Sequence, residues 1–244
     1  MFDAGIYRLS SLFGQQNYRK FIVLTQGRSG SNMLISMLNS HPGIHAKGEL
    51  FHRLYGRSPE QILTKLYATH PAHIQAVGFK IFYYHPLDEP VTRVWDLLAE
   101  IDDLHVIHLK RRNLLRLELS KKIAQQTDNW VNRNERESRV AIQQKQVTFT
   151  VQELEAEFSR IHEMQTRFAA CFQQKKLITT YYEELVTNPQ REMVKISDLL
   201  GLESFATKAS VKRQNPESLS SLILNYHELK CAFEDTPWES FFED

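Results

Sequence analysis

The first regular pattern of apolar residues in the chain is a short β-branched run followed by a turn and a run at helical spacing. Residues 20–26 (KFIVLTQ) end at a turn rich in glycine and serine, which predicts a buried strand. In the segment 31–38 the apolar residues recur at helical spacing, and His41-Pro42-Gly43 ends that pattern. The pattern therefore predicts a strand, a turn and a helix in direct succession.

The same alternation continues along most of the chain. Further strands are predicted at 76–83, 105–109 and 177–182, and further helices at 59–68, 91–100, 113–125, 151–174 and 189–201. Between 127 and 146 charged and amide residues dominate without an apolar period, which predicts a surface excursion. Alternating strands and helices predict an α/β fold with a mainly parallel central sheet flanked by helices. Ligands of such folds bind at the carboxyl ends of the strands.

The composition fits one globular domain and argues against nucleic-acid binding. With 244 residues, 42% of them hydrophobic, the chain is expected to form a single domain over 1–244 with one sizeable core. Lysine and arginine (30) nearly balance aspartate and glutamate (29), so there is no general basic field. An anionic ligand must therefore be held by local groups.

No segment predicts a membrane span or a metal site. The apolar runs are too short to cross a bilayer, and the first twenty residues lack the apolar region of a signal peptide. Cys171 and Cys231 are far apart and match no disulfide, metal or redox pattern, and the ten histidines include no zinc motif. We therefore predict a cytoplasmic protein without a metal.

The turn between the first predicted strand and helix has the composition of an anion-binding loop. It reads Gly27-Arg28-Ser29-Gly30-Ser31-Asn32. Its glycines permit close backbone approach, the helix N-terminus offers N–H groups, and Arg28 supplies a cation. The GxxxxGK[ST] pattern of magnesium-nucleotide kinases is absent, because the cation lies inside the turn. A phosphate site and a plain strand-to-helix connection are both compatible with this turn alone.

A second basic cluster follows the strand predicted at 105–109. Lys110-Arg111-Arg112-Asn113 ends that strand, and Ser120 lies eight residues beyond Arg112 on the next predicted helix. An arginine fork and a hydroxyl can together bind one phosphate. The alternative is a solvated basic strand end.

These two motifs, in this order, resemble those of the PAPS-dependent sulfotransferases of the RSGS/RSGT type, which include bacterial, carbohydrate and tyrosylprotein enzymes. PAPS is 3′-phosphoadenosine 5′-phosphosulfate. The segments 182–189 (YEELVTNP) and 199–202 (LLGL) are similar to a scaffold region of the same family, so the resemblance covers about 20–205. It implies a P-loop-like sulfotransferase fold in which 206–244 forms a nucleotide-covering loop and a C-terminal helix. We further expect 127–149 to lie on the acceptor side.

The resemblance also implies which residues bind the co-substrate. The turn from Gly27 to Asn32 would hold the 5′-phosphosulfate of PAPS, and Arg112 and Ser120 would hold the 3′-phosphate. The basic pair Lys212-Arg213 would touch the 3′-phosphate or the adenosine side, with a solvated pair of charges as the alternative. The product would be 3′-phosphoadenosine 5′-phosphate (PAP), and the chemistry requires no metal.

Sulfuryl transfer needs a base on the acceptor hydroxyl and cations on the leaving group. Arg28 is placed by its turn to stabilise the leaving 5′-phosphate. The resemblance implies Glu49 as the carboxylate base, and the imidazole of His45 or His52 is the alternative. It also implies that Lys80, a charge within an otherwise apolar strand, stabilises the transferring group; the alternative is a lysine that reaches solvent at a sheet edge.

We therefore predict an enzyme that moves a sulfuryl group from PAPS to a small-molecule or glycan hydroxyl by in-line transfer. A P-loop-like nucleotide kinase is the first alternative, but it should show a Walker lysine or a magnesium-holding aspartate. An inactive nucleotide-binding module is the second, and the presence of Glu49 and Lys80 argues against it. The sequence makes no prediction of the oligomeric state.

Overall fold

A parallel five-stranded sheet is the central feature of the structure, a computed structural model that describes residues 14–90, 92–130, 142–205 and 215–243. Its strands are β2 (Arg19–Thr25), β3 (Ile44–Glu49), β5 (Ala76–Phe82), β6 (Leu104–Lys110) and β7 (Lys176–Tyr181), in the spatial order β3-β5-β2-β6-β7. Short strands β1 (Gly14–Gln15) and β4 (His70–Pro71) form a separate antiparallel pair. Because all pairings in the main sheet are parallel, the carboxyl ends of β3, β5 and β2 lie side by side.

Helices connect most of the strands. They are α1 (Ser31–Leu38), α2 (Pro59–Leu66), α3 (Thr92–Glu100), α4 (Leu114–Thr127), α5 (Ile142–Lys145), α6 (Val151–Cys171), α7 (Tyr182–Thr187), α8 (Pro189–Leu200), α9 (Leu219–Leu222) and α10 (Tyr226–Ala232), with a 3-10 turn at Glu239–Phe242. Side-chain oxygens of Ser58, Asn113 and Asn188 accept backbone N–H bonds where α2, α4 and α8 begin. Among the described residues, no helix combines the length and the apolar character that a membrane crossing requires.

The chain divides into two compact units. The first contains 1–110 and 168–210 and holds the main sheet, and the second contains 111–167 and 211–244. In the first unit, Phe21 and Val23 of β2 belong to a core cluster with apolar side chains of α1 and α8. In the second unit, α4, α6, α9 and the C-terminal segment share another apolar core, which includes Leu115, Phe158 and Leu222.

The predicted α/β fold class is confirmed. Strands β2, β5, β6 and β7 lie within one residue of their predicted bounds. Strand β3 was not predicted, because it is a short edge strand in which Ile44 and Ala46 alternate with polar residues. The short helices α5 and α7 were not predicted either.

The excursion predicted at 127–146 contains α5, and its residues 131–141 lie outside the described residues. The division of the chain into a core, an acceptor-side excursion and a nucleotide-covering segment stays a prediction.

Candidate active site

The turn after β2 has the backbone shape that brings helix N–H groups to an anion. Arg28 and Gly30 both have positive φ, at 66° and 84°, and Gly30 is the residue from which α1 begins. Glycine adopts this conformation without steric cost and brings no side chain to cap the helix, so the first-turn N–H groups are left for a ligand. Burial lowers the pKa of Arg28, yet a guanidinium stays protonated at neutral pH. The turn therefore combines helix N–H groups with a fixed cation.

The buried hydroxyl of Ser29 stabilises this turn. Its side chain is fully buried, and its Oγ lies 2.6 Å from Thr25 Oγ1 and 2.7 Å from the carbonyl oxygen of Gln26. Thr25 in turn donates to the carbonyl of Leu109 at 2.7 Å, which ties the end of β2 to β6. Because the Ser29 hydroxyl is engaged within the protein, the group it can offer to a ligand is its backbone N–H.

Two tyrosine rings lie against the glycines of the turn. A Cβ atom added to Gly30 would lie 2.4 Å from Cδ2 of Tyr182, and one added to Gly27 would lie 3.0 Å from the hydroxyl of Tyr84. Only glycine fits at Gly30, where the conformation and the space are both restrictive. Tyr182 belongs to the segment that the sequence suggested was scaffold, and the structure places its ring directly behind the anion-binding turn.

A β-bulge in β3 puts Glu49 beside Lys80. The pairing with β5 runs in step as far as Lys47 opposite Phe79, and then Glu49, rather than Gly48, lies opposite Lys80. Paired residues of neighbouring strands point to the same face, so the extra residue turns Glu49 onto the face that Lys80 occupies. Glu49 Oε1 lies 2.9 Å from Lys80 Nζ as a result.

Lys80 joins this carboxylate to the anion-binding turn. Its side chain is only 5% exposed, so its charge requires partners. Besides Glu49, its ammonium donates to Asn32 Oδ1 at 2.5 Å, in the first turn of α1. The ammonium is thus buried and paired, and it does not reach solvent at a sheet edge. The structure brings together Glu49, Lys80 and Asn32 as one hydrogen-bonded series.

Two histidines flank the other oxygen of Glu49. His52 Nδ1 lies 3.3 Å and His85 Nε2 lies 3.7 Å from Glu49 Oε2. The ligand atoms of the three side chains lie within 4.8 Å of one another, a spacing at which they could hold a metal ion. The sequence predicted neither His85 nor this cluster, since His85 follows β5 in a turn that carries no recognisable motif.

His45 lies away from this group. It pairs with Val77, and because residues alternate along a strand, its side chain is on the face of the sheet opposite to Lys80. Its ring packs against His70 with centroids 5.3 Å apart, and burial lowers the pKa of His45 to about 4. Of the two histidines that the sequence offered as alternative bases, His52 is the one beside Glu49.

The second basic motif belongs to the other unit. Ser120 is buried on α4, and Arg112 is exposed before that helix begins. Asn113 fixes the start of this helix, because its Oδ1 accepts the backbone N–H of Arg116 at 2.8 Å and its Nδ2 donates to the carbonyl of Phe241 at 2.9 Å. The predicted binding of a 3′-phosphate by Arg112 and Ser120 stays a prediction. The predicted basic pair Lys212-Arg213 lies outside the described residues.

The architecture matches that of a solved sulfotransferase. A sulfotransferase from Alicyclobacillus acidocaldarius aligns with a TM-score of 0.50 at 19% identity, over 87% of this chain and 90% of that chain. No protein-family profile matches the sequence. This chain therefore has the fold of that sulfotransferase, as the sequence predicted.

Among curated proteins, the chain is similar to the nodulation protein H of two rhizobia. The protein of Rhizobium tropici is 29% identical over 245 residues, which cover 91% of this chain and 92% of that protein. The protein of Rhizobium meliloti (strain 1021) is 25% identical over 238 residues, with 91% and 94% covered. The similarity extends over nearly the whole length of both proteins.

Proposed function

We propose that this chain is a PAPS-dependent sulfotransferase. Glu49 would be the base that takes the proton of the acceptor hydroxyl, and Arg28 and Lys80 would be the cations that stabilise the transferring and leaving groups. The observation that carries the proposal is the series from Glu49 through Lys80 to Asn32, which connects a carboxylate to the first turn of α1. A base must lie within hydrogen-bond reach of the attacking hydroxyl, and the hydroxyl must reach the donor held at the turn. Because Lys80 contacts both Glu49 and the turn, a hydroxyl beside the Glu49 carboxylate would also be close to a donor held at the turn.

The turn fits the phosphosulfate end of PAPS. The positive φ of Gly30 lets the backbone turn its N–H groups outward, and helix N–H groups with a guanidinium are the donors that bind phosphate oxygens. The co-substrate supplies the activated sulfuryl group. The chain itself would supply orientation through Gly27 to Asn32, charge through Arg28, and a proton acceptor at Glu49 Oε2.

Lys80 would have two roles in the same reaction. Its ammonium neutralises part of the Glu49 charge in a site where both side chains are largely shielded from water. Once Glu49 has accepted the hydroxyl proton, it no longer attracts Lys80 as an anion, and the ammonium can turn to the sulfuryl oxygens that carry the developing charge. With two cations so placed, the reaction requires no metal, and full turnover in the presence of EDTA is the corresponding expectation.

The sequence supports further contacts with both substrates. Arg112 and Ser120 would bind the 3′-phosphate, with Lys212 and Arg213 as further contacts. The acceptor would be a small-molecule or glycan hydroxyl, covered in part by 127–149, and no nucleic acid is expected as a partner. The cytoplasmic location stays a prediction as well.

Ligand titration separates this function from the kinase alternative. We expect the full chain to bind PAP in calorimetry and to show much weaker binding of ATP, because no Walker lysine is present to hold a triphosphate. Transfer from radiolabelled PAPS to a panel of sugars and phenols then identifies acceptors. Preference for ATP over PAP would overturn the proposal, and PAP binding without transfer to any hydroxyl acceptor would favour the inactive module.

Arg28→Ala should lower kcat more than it lowers PAP affinity. The turn N–H groups would still bind the phosphate, whereas the charge that builds on the leaving group would lose its cation, so we expect kcat to fall about 10²-fold. The measurement is kcat beside the PAP dissociation constant from calorimetry. Arg93→Ala, which removes an exposed arginine paired with Glu60, is the surface control. An unchanged kcat in Arg28→Ala would remove Arg28 from the mechanism.

A further inference from the structure

His85 is a fully buried imidazole held rigidly in the turn after β5. Its Nδ1 accepts the backbone N–H of Phe82 at 3.3 Å, and its own backbone N–H donates to the carbonyl of Phe82 at 2.9 Å. Its carbonyl accepts the indole N–H of Trp95 at 3.0 Å, and its ring packs on the Phe82 ring with centroids 4.8 Å apart. The imidazole can therefore turn little about its bonds.

These contacts also determine which ring nitrogen carries hydrogen. Burial lowers the pKa of His85 to about 4, the opposing charge of Glu49 being outweighed, so the ring is neutral at physiological pH. The charged and titratable groups that face it are Glu49, His52 and Lys80. A neutral imidazole has one N–H, and because Nδ1 accepts a hydrogen bond, the hydrogen must be on Nε2.

The Nε2 of His85 lies near the carboxylate of Glu49. His85 Nε2 is buried without a hydrogen-bond partner in the part of the chain that the structure describes, which is costly for a donor. The nearest acceptor among the ion-pair contacts is Glu49 Oε2, at 3.7 Å, slightly beyond hydrogen-bond range. Catalytic hydrogen bonds are often long in a free enzyme and shorten when the substrates are bound.

We propose that His85 is a positioning residue for Glu49, whose carboxylate it fixes from the buried side by donating its Nε2–H to Oε2. This inference rests on the proposed role of Glu49 as base. Lys80 holds Oε1, and His85 would hold Oε2 from the protein interior, so the plane of the carboxylate is set by two donors. The other side of Oε2 faces the exposed side, where His52 Nδ1 lies within hydrogen-bond distance at 3.3 Å. An acceptor hydroxyl would enter from this side and take the place of His52.

The same cluster is a poor metal site. The hydrogen on His85 Nε2 occupies the lone-pair position that a metal would need, and a tautomer shift would place a second hydrogen against the Phe82 N–H. The Lys80 ammonium lies on Glu49 Oε1, where a second positive ion would be repelled. A neutral donor at His85 is compatible with both neighbours, whereas a divalent cation is compatible with neither.

A double-mutant cycle tests the proposal in the full chain. We expect His85→Ala to lower kcat roughly 10- to 100-fold with PAP affinity and acceptor KM unchanged, because a misplaced base slows the chemical step. His85→Gln should recover most of the loss, since its amide N–H can reach the position of Nε2–H. In the Glu49→Gln background, His85→Ala should cause no further loss, because His85 acts only through Glu49.

The controls distinguish the possible failures. His108→Gln removes another fully buried histidine, hydrogen-bonded to Tyr83 at 2.7 Å, and should lower stability while kcat stays close to that of the wild type. Equal kcat losses for His85→Ala in both backgrounds would make His85 merely structural, as would His85→Gln behaving like His85→Ala. Wild-type turnover in Glu49→Gln alone would instead overturn the base assignment and, with it, this inference. Activity lost in EDTA and restored by Zn²⁺ would make the cluster a metal site.

Discussion

Glu49→Gln is expected to lower kcat by about 10³-fold, within the range of 10²- to 10⁴-fold that a positioned base contributes. The amide keeps the size of the carboxylate, and its one oxygen can still accept a hydrogen bond from Lys80. Its NH2 group replaces the other oxygen, and the side chain cannot take a proton from the acceptor. PAP binding should be unchanged, because Glu49 is connected to the turn indirectly, through Lys80 and Asn32. Single-turnover rates with radiolabelled PAPS, beside calorimetry with PAP, measure the two effects separately.

A matched surface change shows whether the loss belongs to the site. Glu60→Gln also converts a paired glutamate to glutamine, but Glu60 is partly exposed at the surface and pairs with Arg93, so kcat should not change. His52→Gln should have a smaller effect than Glu49→Gln, since His52 lies on the exposed side of the carboxylate. A larger kcat loss in His52→Gln than in Glu49→Gln would make His52 the base, with Glu49 as the group that orients it.

The central strands could be predicted because they are buried on both faces, which requires a continuous run of apolar residues. Residues 21–24 of β2 are all fully buried, between β5 and β6 and beneath helices, and they form an unbroken apolar run. Strand β3 has one neighbouring strand, and half of its residues are polar, so its sequence contains no such apolar run. The base candidate therefore lies on the one strand of the main sheet that the apolar pattern did not reveal.

The contact between Glu49 and Lys80 could not be predicted even with both residues named. It depends on the bulge at Gly48, because a regular strand would place Gly48 opposite Lys80 and turn Glu49 to the other face. A bulge leaves no reliable mark in a sequence, since glycine also occurs in regular edge strands and in turns. Register is a property of the paired strands rather than of the segment Lys47-Gly48-Glu49.

The contacts of His85 and Tyr182 could not be predicted from the sequence either. Each is distant in sequence from the residue it approaches, and each lies just beyond the carboxyl end of a strand, His85 after β5 and Tyr182 after β7. Parallel strands bring such positions to one edge of the sheet, so the order of the strands determines which of them meet. The sequence predicts the sheet but not its strand order, and these two contacts therefore appear only in the structure.

Gly30→Ala is expected to disable the anion-binding turn. The new methyl group would lie 2.4 Å from Tyr182 Cδ2, and the residue would keep a φ of 84°, so either the ring or the turn must move. The left-handed backbone costs an alanine about 1–2 kcal/mol, and overpacking against the ring costs about 1–3 kcal/mol more. We expect both losses in the free energy of unfolding, measured by chemical denaturation. A turn displaced by about 1 Å should also lower kcat roughly 10²-fold, with weaker PAP binding.

Gly56→Ala separates the two costs, because Gly56 has a φ of 71° and no atom within 4 Å of the position of an added Cβ. The free energy of unfolding of this variant should fall only by the cost of the left-handed backbone. The variant should bind PAP like the wild type. Adding Tyr182→Ala to Gly30→Ala should relieve the clash, measured against Tyr182→Ala alone, and leave a cost close to that of Gly56→Ala. Gly30→Ala could instead be as stable as Gly56→Ala and bind PAP normally. Tyr182 would then not support the turn, and glycine would be required at Gly30 for its backbone conformation alone.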